Sequence, residues 1–423
     1  MVNSKIGRHS ARLLTHPFLF LVYGLSHFFP RKNTLWVFGI PKKFTWSSKY
    51  LFLYLVNNKE KGMRPIWITR SKPLLKELRS RGYPAYFWLS FGGIWSCMRA
   101  GFFIVDASLD TIHYWLSGGA KEVLLWHGIP LKKIERDVTK GESSDVKVRQ
   151  AKGFLGFAMR FLLPFAFRRP DYAIATSSVF QEILAGAFGM KKERVFITGF
   201  PKNDVYFGAM PGAEIGADQE VLAKLQQLKK ESSLPRTILY APTWRDTGGD
   251  SFFEKPDALL RLDEFLTQEN LFFFLKLHPL AQAKATVNAR EGREYKNIIF
   301  VNPESDADPL LSFIDILVTD YSGIYFEFLL LDRPIIFFPF DYEKYVTRDR
   351  ELYFPYEEIT PGPKARTLQE LMQTLKGVIR GKDEYASFRK KVRELTYTYQ
   401  DGKSAERVFS VLKDLCEKKK SFS

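Results

Sequence analysis

Short apolar runs alternate with helical patterns along most of the chain. The runs are rich in β-branched and aromatic residues and are bounded by Gly or Pro, which is typical of buried strands. Helical patterns, such as residues 47–58 and 179–188, lie between them. Strands that alternate with helices predict parallel βαβ units and open α/β sheets. The predicted strands are 34–39, 64–70, 84–89, 101–106, 122–128, 171–177 and 195–200 in the first half, and 237–244, 271–278, 297–302, 315–322 and 333–340 in the second.

The alternation is interrupted once, near the middle of the chain. Residues 208–218 carry small residues and Gly, and a polar helical pattern follows them, so we predict an interdomain linker there. The chain then forms two Rossmann-like halves, 1–207 and 219–423, the second ending in C-terminal helices. Ligands of open α/β sheets bind beyond the carboxyl ends of the strands. The cleft between the halves is therefore where we expect a functional site.

Polar side chains are concentrated where the predicted strands end. A single histidine at such a position is more often structural than catalytic, but five polar junctions spread over two halves favour a site. The residues concerned are His127 and Gly128; Pro201, Lys202, Asn203 and Asp204; Thr243 and Arg245; Lys276 and His278; and Asp320, Ser322 and Gly323.

Several of these side chains are suited to phosphate. Ser322 and Gly323 precede an apolar helical pattern, so free backbone N–H groups there can bind an anion such as a diphosphate. The alternative is that Asp320 or Ser322 simply caps this helix. Arg245 can offer a bidentate fork to a phosphate; its alternative is a surface ion pair with the neighbouring Asp246.

The two strand-end histidines suggest acid–base chemistry. His278 can donate to a phosphate oxygen, and His127, in the other half, can take the proton of an acceptor hydroxyl. The chain holds neither a GxGxxG nor a GxxxxGK[ST] motif, so the sequence gives no motif support for a dinucleotide-binding or a P-loop protein. Asp306 and Asp308 form a DAD sequence beside Pro309, which we interpret as helix capping.

Six ordered motifs resemble the CDP-glycerol glycerophosphotransferase family. They span about residues 120 to 410 and read LLWHGIPLKKI (124–134), TGFPKNDV (198–205), LYAPTWRD (239–246), LKLHP (275–279), VTDYSGIYFEFLLLDRPIIFFPFDYEKY (318–345) and YQDGKSAERV (399–408). The resemblance implies a GT-B-like pair of Rossmann domains, with the acceptor and the membrane on the first half and the nucleotide donor on the second. The chain is similar to the short, single-module members.

The resemblance also implies an activity. Members transfer glycerol phosphate from CDP-glycerol to a hydroxyl of a lipid-linked acceptor and release CMP, at the cytoplasmic face of the bacterial membrane, in the synthesis of teichoic acids and related or capsular polymers. By motif, His127 is the base, His278 contacts the donor diphosphate, and Asp320 and Ser322 lie by the donor phosphates. The family commonly has a second Ser or Thr where this chain has Gly323, which makes the donor, CDP-glycerol or CDP-ribitol, less secure than the fold.

The positive charge of the chain is unevenly distributed. The 423 residues carry a formal net charge of +16, with 45% apolar and 26% charged residues, a composition that excludes a disordered, a collagen-like or a multispanning membrane protein. Residues 1–59 hold nine basic residues and no acidic one, and residues 146–170 hold six and none. These two segments supply 15 of the 16 excess positive charges, and both are rich in Phe and Leu.

The second basic segment predicts a membrane-facing amphipathic helix. On a helical projection its basic and glycine positions fall within a sector of roughly 100°, beside a broad Phe and Leu face. The alternative is a buried helix with a narrow solvated edge, which does not explain the missing acids. Nucleic acid is disfavoured because the basic residues are interleaved with bulky apolar ones. The residues assigned to the membrane are Arg149, Lys152, Phe154, Phe157, Arg160, Phe161, Arg168 and Arg169.

Two other functions stay open on the sequence. One is a GT-B glycosyltransferase that uses a nucleotide sugar, and the other is a membrane-bound binding protein without catalysis. The sequence requires no cofactor beyond the donor and leaves a divalent metal ion undecided. It does not distinguish glycerol from ribitol, or single transfer from polymerisation.

Overall fold

Every apolar run predicted to be a strand is one. The computed structural model describes residues 15–60, 62–139, 152–231, 237–243, 245, 256–277, 295–348 and 351–417. The strands are β1 (Lys32–Phe38), β2 (Arg64–Thr69), β3 (Ala85–Phe87), β4 (Ala100–Val105), β5 (Lys121–Leu124), β6 (Tyr172–Ala175), β7 (Val195–Ile197), β8 (Thr237–Tyr240), β9 (Phe272–Leu275), β10 (Ile298–Phe300), β11 (Ile316–Thr319) and β12 (Ile335–Phe337).

These strands form two parallel sheets. The first has seven strands in the order β3-β2-β1-β4-β5-β6-β7, and the second has five in the order β10-β9-β8-β11-β12. All pairs are parallel, as in the register of Val37 with Phe103 between β1 and β4. Strands buried on both faces need apolar side chains on both, which explains why β4 is apolar throughout and wholly buried. The predicted pair of Rossmann-like α/β halves is confirmed.

Helices connect the strands and cover both sheets. Ser71, Ser90 and Thr367 cap three of them with side-chain oxygens. The first helical stretch, residues 15–26, is α1. The others are α2 (Trp46–Asn57), α3 (Lys72–Ser80), α4 (Phe91–Arg99), α5 (Gly153–Leu162), α6 (Pro164–Phe167), α7 (Ser178–Phe188), α8 (Gln219–Glu231), α9 (Pro256–Gln268), α10 (Asp308–Leu311), α11 (Ile324–Leu329), α12 (Tyr342–Arg348), α13 (Tyr356–Ile359), α14 (Leu368–Ile379), α15 (Ala386–Thr396) and α16 (Ser404–Glu417).

The last helix returns to the first half. Phe409 of α16 packs against Trp36 of β1, with ring centroids 6.1 Å apart, and Cys416 lies by the Asn33 carbonyl. Asp204 accepts the backbone N–H groups of Ser404 and Ala405 at 2.9 and 2.8 Å, so it caps this helix from the first half. The sequence prediction placed these C-terminal residues with the second half, whereas their packing ties them to the first.

The predicted linker is partly buried and polar contacts hold it in place. Lys49 of α2 donates to the carbonyls of Ala213 and Ile215 at 2.6 and 2.8 Å, and its third partner is Asp306 of the second half at 2.7 Å. The buried part of the linker, Gly212, Ala213 and Ile215, therefore lies against α2 of the first half, whereas Gly208, Ala209, Pro211 and Gly216 are exposed. Within the described residues, none of the helices combines the length and apolar character needed to cross a bilayer.

Candidate active site between the two halves

A cavity of about 490 Å³ lies between the carboxyl ends of the two sheets. Both halves supply its walls, as the topology predicts for ligands of open α/β sheets. The charged and polar residues around it are Lys43, Thr45, His127, Lys132, Lys202, Lys276, Glu304, Ser305, Asp306, Asp308 and Glu327, together with Gly128 and Gly323.

His127 is oriented by its neighbours. Its Nδ1 lies 3.1 Å from the backbone carbonyl oxygen of Asp106, which follows β4. Since a carbonyl oxygen only accepts, the neutral ring must carry its proton on Nδ1 and present an unprotonated Nε2. Trp126 and Trp46 pack on the ring, with centroids 4.1 and 5.1 Å away. Both tryptophans have left-handed φ angles, 60° and 64°, a strained conformation that is typical of functional sites.

The environment of His127 favours its neutral form. Burial, with a smaller contribution from the positive charge of Lys202, lowers the pKa of His127 to about 4. The imidazole is therefore neutral at pH 7. A neutral imidazole with a free Nε2 that faces a cavity is equipped to accept a proton.

Lys202 links the two halves inside the cavity wall. Its Nζ lies 2.9 Å from a carboxylate oxygen of Glu327 in α11 and 3.7 Å from one of Asp308 in α10. Tyr206 donates a hydrogen bond to Asp308 at 2.7 Å. Burial alone would lower the pKa of Lys202, but these carboxylates outweigh it and raise that pKa well above its usual range. Lys202 is therefore a permanent cation.

Asp306 has a similar role beside it. Its side chain accepts from Lys49 at 2.7 Å and from the hydroxyl of Tyr50 at 3.1 Å, and all three residues are buried. Asp306 also accepts the backbone N–H of Asp308 at 3.3 Å, although the N-cap of α10 is Ala307 and makes no side-chain capping hydrogen bond. The DAD sequence thus serves mainly to bind two lysines of the other half.

Arg245 is placed differently from the phosphate contact predicted for it. Its guanidinium is buried and forms ion pairs with Asp320 and with Asp341, the latter through two nitrogens at 2.9 and 3.0 Å. Asp320 also accepts the backbone N–H of Thr243 at 2.7 Å. The fork is thus bound to carboxylates, and Arg245, Asp320 and Thr243 brace the strand ends behind the cavity. Asp246, the expected partner, lies outside the described residues.

Lys276 follows β9 and reaches into the cavity wall. Its Nζ donates to the carbonyls of Asn302 and Ser305 at 3.0 and 2.9 Å. Burial lowers the pKa of Lys276 to about 8, so the amine is mostly protonated at pH 7. Its partners are neutral oxygens, which leave its positive charge available to an anion in the cavity.

Gly323 lies against the backbone of the first half. A Cβ on this residue would lie 2.6 Å from the carbonyl oxygen of Ile129, in the loop that follows His127. Only glycine fits that contact, and this explains the absence of a larger residue here. Gly323 lines the cavity and precedes the six-residue helix α11; Ser322 beside it is half-buried.

The four predicted residues Pro201–Asp204 occupy different places relative to the cavity. Lys202 lines the cavity, but Pro201, Asn203 and Asp204 lie beneath it in the 3₁₀ turn Pro201–Tyr206. Asp204 caps α16 instead of facing the cleft, and its burial raises its pKa to about 6. His278, the second predicted catalytic residue, lies outside the described residues.

Sequence reasoning missed several residues of this site, among them Glu327, Lys49, Asp106 and Trp46. Glu327 and Lys49 are single charges within otherwise apolar helices, and such a charge, when buried, needs a partner, so this was a usable signal. Asp106 and Trp46 left no comparable signal. Asp106 is buried, its burial raises its pKa to about 7, and its carboxylate accepts the backbone N–H of Ser48 at 3.0 Å.

The second basic segment forms the helices α5 and α6, and most of its described exposed side chains are in α5. In α5, Phe154 and Phe157 are 88% and 70% exposed, and Lys152, Arg160 and Arg169 are exposed as well. Phe161 instead packs on Phe20 of α1, with centroids 5.1 Å apart. Arg168 forms ion pairs with Glu122 and Asp171. Arg149 lies in the part of the chain that the structure leaves undescribed.

The chain is similar to a set of related proteins. A family model described as CDP-Glycerol:Poly(glycerophosphate) glycerophosphotransferase matches residues 21–413. A teichoic acid poly(glycerol phosphate) polymerase of Bacillus spizizenii is 28% identical over 370 residues, which cover 84% of this chain and 86% of the relative. A teichoic acid glycerol-phosphate transferase of Staphylococcus aureus is 24% identical over 409 residues, 94% and 97% of the two chains.

Ribitol-phosphate enzymes are also among the relatives. The teichoic acid ribitol-phosphate polymerase TarK of Staphylococcus aureus is 32% identical over 234 residues, which cover 55% of this chain and 42% of the relative. Among solved structures, the wall teichoic acid polymerase TagF matches with a TM-score of 0.73 at 23% identity over 99% of both chains. The Staphylococcus aureus MnaA–UDP co-structure matches with a TM-score of 0.53 at 15% identity, over 90% of this chain and 97% of that one. These two likenesses concern the fold, and they agree with the GT-B-like prediction.

Proposed function

The chain belongs to the CDP-glycerol:poly(glycerophosphate) glycerophosphotransferase family, and we propose that it transfers a polyol phosphate from a CDP-activated donor to a hydroxyl of a lipid-linked or polymeric acceptor. The product is a teichoic-acid-like polymer or its first unit, and CMP leaves. The observation that carries the proposal is His127, a neutral histidine that holds its proton on Nδ1 and lines a cavity that both halves build.

In the proposed step, the acceptor hydroxyl attacks the β-phosphorus of the donor. A bond forms between the acceptor oxygen and that phosphorus while the bond to the bridging oxygen of the diphosphate breaks. His127 Nε2 takes the hydroxyl proton, and CMP carries away the electron pair. Positive charge near the diphosphate stabilises this transfer.

We assign the donor diphosphate to the side of the cavity that the second half builds. Lys276 supplies a positive charge whose hydrogen-bond partners are neutral oxygens. Gly323 lines the same cavity, and Ser322 precedes it in the chain. His278 keeps the role that the family resemblance implies, contact with the diphosphate. Arg245 and Asp320 act through positioning, since they hold the strand ends on which the donor rests.

Replacement of the base tests the proposal directly. His127→Ala should lower the rate of CMP release from CDP-glycerol about a hundredfold or more, since general-base catalysis contributes on that scale. The thermal shift produced by CDP-glycerol should be retained. His113→Ala is the control, since this half-buried histidine of the same half does not line the cavity. An unchanged rate for His127→Ala in a folded protein would contradict the mechanism.

A ligand panel fixes the donor. CDP-glycerol, CDP-ribitol and common sugar nucleotides are compared by the thermal shift they cause in the wild-type protein. We expect a CDP-polyol to give the largest shift. A shift only with sugar nucleotides would favour the glycosyltransferase alternative.

We further propose that the enzyme works as a peripheral protein on an anionic membrane surface. Of thirteen large apolar side chains that are exposed within the described residues, ten lie in residues 15–31, 89–99 and 152–170. None of these three segments contains an acidic residue. Apolar side chains beside unopposed basic ones describe an interfacial surface.

The three segments are adjacent, and α1 lies between the other two. Phe20 of α1 stacks on Phe161 of α5. Arg31, just after α1, donates to the carbonyl of Cys97 in α4 at 2.6 Å and to that of Ser26 at 2.9 Å. Continuity between α4, α1 and α5 supports one membrane-facing surface that includes Phe91, which is 83% exposed.

A further inference from the structure

A second cavity, of about 610 Å³, meets the first at Trp126 and His127. All the described residues that form its walls belong to the first half. They run from the ring of His127 to the helix pair α5 and α6, where Arg160, Phe165, Phe167 and Arg168 contribute. His127 therefore stands at the boundary of two spaces, one open toward the second half and one open toward the proposed membrane-facing helices.

The second cavity carries more positive than negative side chains. Its arginines are Arg136, Arg160 and Arg168, and its carboxylates are Glu122 and Glu135. Arg168 is already paired with Glu122, at 3.3 Å. Arg160 has no ion-pair partner within the described residues and lies over the ring of Phe167, 5.6 Å from its centroid.

A glycine leaves room for the side chain of Arg136. Gly189 ends α7 with a φ of +60°, and a Cβ on it would collide with the guanidinium of Arg136. The bare backbone thus allows Arg136 to lie flat against the end of α7, at the rim of the cavity. Aromatic walls from Trp126, Phe165 and Phe188 complete a space that suits a chain with both polar and apolar parts.

We propose that this second cavity is the acceptor site, that it takes a polyol-phosphate chain, and that Arg136 and Arg160 bind its phosphodiester. The proposal rests on the proposed function and deepens it. In-line displacement requires the nucleophile and the leaving group to approach phosphorus from opposite sides. Entry of the acceptor from the second cavity and of the donor from the first meets that requirement, with the acceptor's terminal hydroxyl at His127 Nε2.

The proposal also explains the position of the helix pair. An acceptor anchored in a membrane must pass from the bilayer to His127. Helix α5 carries the exposed apolar side chains Phe154 and Phe157, and residues of α5 and α6 form the far wall of this cavity. Binding to phosphate by Arg160 would use a charge-assisted hydrogen bond, which guanidinium groups form well.

Two arginines of the same basic segment provide a matched test. Arg160→Gln removes a charge from the cavity, and Arg169→Gln removes one from the same exposed segment but outside it. The assay uses a short poly(glycerol phosphate) acceptor on a detergent-soluble lipid, so that membrane binding plays no part. We expect Arg160→Gln to raise the KM for this acceptor about tenfold, with the KM for CDP-glycerol unchanged, and Arg169→Gln to change neither.

A second variant fills the cavity. Ala166→Trp places a large side chain in a half-buried wall position of α6. We expect the rate of transfer to the acceptor to fall, while the slow hydrolysis of the CDP-polyol donor, which also releases CMP, persists. Acceptor KM values within twofold of wild type for both Arg160→Gln and Ala166→Trp would overturn the acceptor site. Failure of the wild-type protein to use any CDP-polyol would instead overturn the proposed function.

Discussion

Basic side chains that are buried in the cleft are paired with carboxylates, whereas those that the second basic segment exposes on the outer surface of the first half are unpaired among the described residues. In the cleft, Lys49 and Lys202 of the first half are buried, and each is paired with a carboxylate of the second half. Behind the cleft, the buried Arg245 pairs with two carboxylates of its own half. On the outer surface, Lys152 and Arg169 are exposed and have no ion-pair partner among the described residues. A buried charge needs a partner, whereas an exposed one can remain for another molecule.

The difference shows what the net charge measures. The paired cleft contributes little to the surplus, because its cations and carboxylates balance. The surplus comes from segments where apolar and basic residues share the surface. Pairing, rather than charge count, therefore separates the residues that hold the two halves together from those that we assign to an anionic membrane.

The largest expected effect is on the buried side of the comparison. Lys202→Ala leaves the carboxylates of Glu327 and Asp308 buried without their cation, so the free energy of unfolding should fall by about 3–5 kcal/mol. Denaturant unfolding measures it. Lys192→Ala is the control, since its partner Glu182 is fully exposed, and almost no change is expected. Similar losses for the two variants would break the comparison.

Features of the fold and the site could be predicted from the sequence when they depend on residues that are close together in the chain. The strands were predictable because burial on both faces imposes short apolar runs, and His127 because strand ends share one edge of a sheet. The surroundings of Arg245 were not, because its partner Asp341 lies 96 residues away. Nor was the role of Asp204, which caps a helix 200 residues further on. Local patterns specify elements, whereas such pairings arise only from their packing.

The next effect concerns the exposed apolar side. Phe154→Ser removes a side chain whose insertion into a bilayer is worth about 1.5–3 kcal/mol, so partition onto anionic vesicles should fall at least tenfold. Vesicle sedimentation measures it, and unfolding should be unaffected because the ring is exposed. Leu395→Ser, an exposed apolar position outside the three segments, serves as control. Equal partition of Phe154→Ser and wild type would remove this residue from the membrane surface.

Gly323 tests how closely the halves must approach. Gly323→Ala introduces a Cβ 2.6 Å from the Ile129 carbonyl oxygen, so one half must shift. Such overpacking costs about 1–3 kcal/mol of unfolding free energy, and transfer activity should fall with it. Gly128→Ala is the matched control, since its Cβ would meet only Glu327, at 3.6 Å. A fully active, fully stable Gly323→Ala variant would show that the cleft tolerates a wider separation.

The pH profile tests burial of the base itself. The pKa of His127 is about 4 in the folded protein against an ordinary value near 6.5, because burial disfavours the cation. The base form is thus retained on acidification until the pH nears 4, and at pH 5.5 activity should be roughly tenfold higher than an ordinary histidine would allow. Folding stability runs the same way: it falls as the pH drops from about 6.5 toward 4, since the unfolded chain binds the proton more readily. If kcat/KM instead declined on acidification with a midpoint near pH 6.5, the pKa of His127 would be that of a histidine exposed to water.

The smallest effect belongs to single exposed charges. Arg169→Gln should weaken binding to anionic vesicles by about 1 kcal/mol, roughly fivefold, because each basic residue near the surface contributes about that much. Binding to neutral vesicles should not change, and added salt should reduce the difference because the residue is exposed. Lys382→Gln makes the same charge change on the second half, outside the three segments, and should leave vesicle binding unaltered. Equal losses for the two variants would mean that total charge governs binding. A loss confined to Arg169→Gln would mean that position governs it, as the contrast between the paired cleft and the unpaired surface requires.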